Sequence, residues 1–211
     1  GLPTLDYEFS ATPQEMHDAV ERIGYPCVVK APTSKDGEGF SFVHSDADLA
    51  DAWRAADRGL GQGVVVERFI DFDFEVTILA ARSIDPSTGE LATWFCEPIG
   101  TRHREGRLVE SWQPAPLPEA AMDNARSIAA RITGALASCG IFSVEMFVSG
   151  DDVYFSQVTP RPSRDGLVTF VTQRINQFDL QAHATQRLPI DSTLISPGAV
   201  RFLEGHPSHA A

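Results

Sequence analysis

Two apolar runs separated by four turn-forming residues constrain this chain most. Ile141 to Val148 and Val153 to Thr159 flank Ser149-Gly150-Asp151-Asp152. Apolar runs of this length joined by a short Gly/Asp turn form an antiparallel hairpin. Leu117 to Ser138 reads as the best helix in the chain. Apolar positions recur there at helical spacing, with Pro118 near the start. Antiparallel strands together with helices read as an α+β arrangement.

The rest of the chain extends the pattern. Thr12-Pro13-Gln14-Glu15 reads as a capped helix start, with Glu15 completing a capping box, and the helix should end before Gly24. Tyr25 to Lys30 reads as a buried strand that ends on a lysine. Phe40 to Val43 returns, Ser45-Asp46-Ala47-Asp48 opens a second helix through Ala56, and Val64 to Ile70 forms another strand. Phe74 to Ala81 and Leu91 to Pro98 are strands joined by a turn around Pro86-Ser87-Thr88-Gly89. Asn176-Gln177-Phe178-Asp179 caps a last helix to about Arg187. At 211 residues the chain can form two small lobes, here 1–66 and 67–211.

Composition excludes several classes. A formal net charge of −12 lacks the cationic footprint that a nucleic-acid backbone requires. No apolar run reaches the ~18 residues of a membrane span. Cys27, Cys96 and Cys139 are scattered with no CxxC pair, which fits a reducing cytoplasm rather than a disulfide framework or a zinc ribbon.

Four features could carry chemistry, and each also has a plain reading. Lys30, followed by Lys35-Asp36-Gly37-Glu38-Gly39, suits phosphate oxygens, because a glycine-rich turn exposes backbone N–H groups; it equally suits a surface hairpin loop. Glu67-Arg68-Phe69-Ile70 and Glu75 could read an adenine edge and ribose hydroxyls, or form a solvated strand end. Counting the hairpin about residue 151 sets Glu145 opposite Gln157, two oxygen-bearing side chains on one face. Either Mg²⁺ or a carboxylate–amide hydrogen bond would explain them. In Thr159-Pro160-Arg161-Pro162, two prolines hold a guanidinium suited to phosphate, or to an ordinary salt bridge. His17, His44 and His103 read as solvated.

Together, Gly24 to Lys30, Val65-Val66-Glu67, Phe72-Asp73-Phe74-Glu75, Glu110-Ser111-Trp112-Gln113-Pro114, Phe142 to Phe147 and Phe155 to Pro162 resemble the formate-dependent phosphoribosylglycinamide formyltransferases. These are ATP-grasp transformylases of purine synthesis, and the likeness is nearly collinear from Leu2 to Phe202. It implies an α+β ATP-grasp fold with a small lid lobe, a larger lobe on an antiparallel sheet, and ATP between them. It further implies a cytoplasmic enzyme, possible as a homodimer, that uses ATP, Mg²⁺, formate and glycinamide ribonucleotide. On matching positions, Lys30, Lys35, Asp36, Gly37, Glu38, Gly39, Phe40, Glu67, Arg68, Phe69, Ile70 and Glu75 would hold ATP. Glu145 and Gln157 would hold Mg²⁺, and Arg161 would steady the transferring phosphate.

The departures from the family pattern are specific. Gln157 stands where the family has glutamate, Glu38 where it has lysine, and Lys35 where serine is usual. The family's ribonucleotide-contacting aspartate aligns with Arg164, one residue before Asp165. The family's N-terminal domain and C-terminal segment have no counterpart in these residues. The expectation is therefore a fragment or a shortened relative, incompetent alone for the full reaction.

Overall fold

The computed structural model describes residues 1–33, 39–104, 106–136 and 139–203, which fall into two compact units. The smaller unit is Thr4–Asp71 with Arg104–Arg107; the larger takes Gly1–Pro3, Phe72–His103 and Leu108–Ala211. The boundary read from the sequence, after residue 66, falls inside a strand, and the smaller unit runs on to Asp71.

In the smaller unit, β1 (Tyr7–Ser10), β2 (Cys27–Lys30), β3 (Phe40–Val43) and β4 (Val64–Arg68) form an antiparallel sheet in the order β1-β4-β2-β3. Helices α1 (Pro13–Ile23) and α2 (Leu49–Asp57) cover one face. Met16, Ala19, Val20 and Ile23 recur at helical spacing and pack on Cys27, Val29, Val43, Val64 and Val66. Thr12 caps α1 through the Glu15 N–H at 3.2 Å. The Glu15 carboxylate reaches back to the Ala11 N–H at 2.7 Å instead of to Thr12, so the reciprocal cap is displaced by one residue.

The larger unit is built on β5 (Phe74–Ile84), β6 (Leu91–Phe95), β7 (Ile99–Arg104), β8 (Arg107–Gln113), β9 (Gly140–Ser149), β10 (Asp152–Thr159) and β11 (Gly198–Arg201). Their order is β10-β9-β5-β7-β8-β11, with β6 also on β5. Strand alternation divides the side chains of β5. Val76, Ile78 and Ala80 join Val144, Met146 and Val148 against α3 (Glu119–Leu136). Leu79 and Ala81 face the other way and pack on Ile141, Val168 and Leu180, the last from α5 (Gln177–Gln186). Glu75 and Thr77 continue that second face.

Strands β1, β7, β8 and β11 and the short helix α4 (Thr169–Thr172) are additions to the sequence reading. Gly100 marks where β7 and β8 come close, because a Cβ there would lie 2.2 Å from the Trp112 ring. Cys27, Cys96 and Cys139 are free thiols. Among the described residues no helix is long and apolar enough to cross a membrane.

Candidate functional site

The polar end of the β5 face collects acidic groups. Thr77 of β5 pairs with Glu145 of β9, which pairs with Gln157 of β10, so three side chains share one row. The turn register alone would set Glu145 opposite Ser156, since Asp152 pairs Ser149 and Phe155 pairs Met146. A bulge between Phe155 and Gln157 inserts one residue and brings Gln157 into line. Gln157 Nε2 donates to Glu145 Oε2 at 2.7 Å. One step along β5, Glu75 pairs with Thr101 of β7, and His103 follows two residues later on the same face. His103 Nδ1 lies 2.7 Å from Glu75 Oε2.

Asp165 enters from the loop after β10. It is 7% exposed and accepts a 3.0 Å hydrogen bond from the Thr77 hydroxyl. A staple sets that loop. The Gln177 amide accepts from the Ser163 N–H at 3.0 Å and donates to the Ser163 carbonyl at 2.8 Å. Gly166 lies under the same amide, where a Cβ would sit 2.1 Å from Gln177 Oε1. Only glycine leaves room for the staple beside Asp165.

Three carboxylates thus face one imidazole. Burial pushes Glu145 up to about 8, and the negative charge of Asp165 adds to that rise. Burial also raises Asp165, against the pull of the Thr77 hydroxyl and His103. Burial alone would lower His103, but the Glu75 hydrogen bond and the surrounding carboxylates outweigh it, and the ring sits above its ordinary value. An all-oxygen set of Glu145, Asp165 and the Gln157 amide is the donor chemistry of hard divalent cations.

The smaller unit presents a different arrangement. On the sheet face away from its helices, Lys30 Nζ bonds Glu67 Oε2 at 2.5 Å, with both side chains largely sheltered. Phe40 pairs with Lys30, and Phe42 makes edge contacts with Phe40 and Phe69 at ring distances of 4.9 and 5.5 Å. Arg68 is turned outward to Asp6 at 3.0 Å, Ile70 is half-buried, and the Gly39 carbonyl accepts from the Ala31 N–H. Lys35, Asp36, Gly37 and Glu38 lie outside the described residues.

The sequence candidates therefore gather in two groups. Lys30, Phe40 and Glu67 meet in one unit; Glu75, Glu145, Gln157 and Asp165 meet in the other. Arg161 donates to the adjacent Pro162 carbonyl, and Arg164 stacks its guanidinium 4.8 Å over the Phe202 ring. At the Arg164/Asp165 pair it is Asp165 that joins the carboxylates. One expectation needs correction: His103 is not a solvated histidine, because its side chain is 27% exposed and bonded to Glu75. Thr77 and His103 were both missed. Glu75 and Thr77 alternate at strand period, which was the available signal for Thr77. Gly100 to Arg104 is too polar to read as a strand, so His103 offered none.

A family model described as the ATP-grasp domain matches residues 1–178. The chain belongs to the ATP-grasp family. This ATP-grasp chain is 55% identical over 208 residues to a formate-dependent phosphoribosylglycinamide formyltransferase of Corynebacterium efficiens, covering 97% of this chain and 52% of that protein. It is similar to the solved glycinamide-RNase-transformylase T of Mycobacterium tuberculosis, at 38% identity and TM-score 0.77, over 94% of this chain and 52% of that one. An ADP complex of an N5-carboxyaminoimidazole ribonucleotide synthetase matches at 27% identity and TM-score 0.81, again over 94% and 52%. The chain spans about half the length of these relatives.

Proposed function

We propose that this chain is the ATP-holding portion of a formate-dependent phosphoribosylglycinamide formyltransferase acting in the cytoplasm. ATP transfers its terminal phosphoryl group to formate, giving formyl phosphate and ADP. The amine of glycinamide ribonucleotide then displaces phosphate and leaves the formamide. The carboxylate-rich face carries this reading. Glu145, Asp165 and Glu75 crowd one sheet face, and that gathering of carboxyl oxygens suits an all-oxygen cation site.

Mg²⁺ fits there by donor chemistry, held by Glu145 and the Gln157 amide oxygen, and when bound it neutralises phosphate charge. Lys30, whose ammonium Glu67 holds here, neutralises phosphate charge. The backbone and side chains from Glu67 to Ile70 read the adenine edge, and Glu75 accepts from the ribose hydroxyls. Arg161 steadies the transferring phosphate, and the pair Arg164 and Asp165 addresses the ribonucleotide. Catalysis in such a site is positioning and charge neutralisation.

A second reading is favoured by Gln157. Its Nε2 is committed to Glu145, and a neutral amide brings no charge to a metal. A nucleotide-binding relative with little turnover would look the same. Calorimetry of ATP with and without Mg²⁺, followed by formate-dependent ADP release, separates the two. Gln157→Glu should tighten Mg²⁺-dependent ATP binding by about tenfold, about 1.4 kcal/mol. ATP binding unaffected by Mg²⁺ in both forms would overturn the metal assignment.

A further inference from the structure

The Glu75–His103 pair has a construction that binding by Glu75 alone does not require. The two residues lie 28 apart in sequence and meet because β5 and β7 pair in register. Thr101 sits directly opposite Glu75, and its hydroxyl donates to the Glu75 carbonyl at 3.3 Å, tying the strands together at this point. His103 is the next residue on that face. Its neighbour Arg102 points the other way and pairs with Glu110 of β8, which pins the β7–β8 hairpin from its opposite side. The imidazole is thus placed by strand geometry on both flanks.

A carboxylate is acceptor-only, so the 2.7 Å contact requires Nδ1 to carry the proton. Glu75 Oε2 is the oxygen engaged, and Oε1 is the one left for a ligand. Glutamate has three side-chain torsions to lose when it grips a ligand. A charge-assisted bond from a sheltered ring, with the two side chains 27% and 19% exposed, removes that freedom before the ligand arrives.

We propose that His103 is a positioning residue that holds the Glu75 carboxylate in the one rotamer able to accept from a vicinal diol, and so sets the preference for a ribose over a sugar lacking those hydroxyls. The inference rests on the reading of Glu75 as the ribose contact. Asn is the donor-preserving replacement, because its amide nitrogen falls where Nδ1 does.

The test is a comparison of Mg·ATP and 2′,3′-dideoxy-ATP affinities by calorimetry in wild type, H103A, H103N and E75Q. Wild type should prefer ATP by tenfold or more. H103A should lose most of that preference while dideoxy-ATP affinity changes less than twofold, which also reports that the fold is intact. H103N should recover at least half of the preference on a logarithmic scale. If E75Q abolishes the preference and H103A keeps it, the positioning role is wrong while the ribose reading stands. If E75Q also keeps it, the ribose reading itself fails. If H103A weakens both nucleotides equally, His103 is structural only.

Discussion

The two sheets handle their charged side chains in opposite ways. In the smaller unit Lys30 and Glu67 neutralise each other and sit among Phe40, Phe42 and Phe69. In the larger unit the carboxyl groups of Glu75, Glu145 and Asp165 are met by His103, the Gln157 amide and the Thr77 hydroxyl. The first face is balanced as it stands. The second gathers three carboxyl groups around one imidazole, and burial raises two of them, Glu145 and Asp165.

The largest expected effect concerns the carboxyl-rich face and pH. Glu145 holds its proton in the folded state up to about 8, against an ordinary value of 4.5. A carboxyl raised by folding contributes stability that is complete below the unfolded value and is lost as pH rises to the folded one. Without divalent cations, unfolding free energy should therefore fall between about pH 4.5 and 8, by at most ~1.4 kcal/mol per pH unit. Denaturant titrations across that range check it, and E145Q should flatten the slope. A slope unchanged in E145Q would mean the two faces do not differ as described.

Next is Gly166→Ala, which forces a methyl group into the Gln177 amide. A loss of about 2–4 kcal/mol is expected, because the clash disrupts a buried hydrogen-bonded staple beside Asp165. Chemical denaturation measures the loss, and an effect under ~0.5 kcal/mol would show the loop can move freely.

The balanced face predicts smaller numbers. Lys30→Met leaves Glu67 unpaired in a half-sheltered position and should cost about 1–2 kcal/mol. The double variant K30M/E67M should recover much of that cost, since both charges are gone. Failure to recover would mean the pair contributes packing rather than charge balance. The smallest effect is Thr77→Val, which removes one donor to Asp165 and should cost about 1 kcal/mol by thermal denaturation.

The legibility of these faces followed the range of the interaction. Helices α1, α3 and α5 and the β9–β10 hairpin declare themselves through caps, spacing and turn residues, all within a few positions of one another. Glu145 opposite Gln157 was also readable by counting, although the count about residue 151 holds only because a bulge shifts the register before Gln157. Strand β7 was not readable, because Gly100, Thr101, Arg102, His103 and Arg104 offer no apolar alternation. It is a strand because β5 and β8 supply its hydrogen bonds and Gly100 admits Trp112.

What the sequence determined by itself was helices α1, α2, α3 and α5, the β9–β10 hairpin with its acidic and amide side chains, and the family likeness. What tertiary structure alone decided was which of them share a face. Asp165 reaches Thr77 across 88 residues and His103 reaches Glu75 across 28. Periodicity specifies which way a side chain points from its own strand. Its neighbours depend on strand order, register and one bulge, and those are set by how the whole sheet packs.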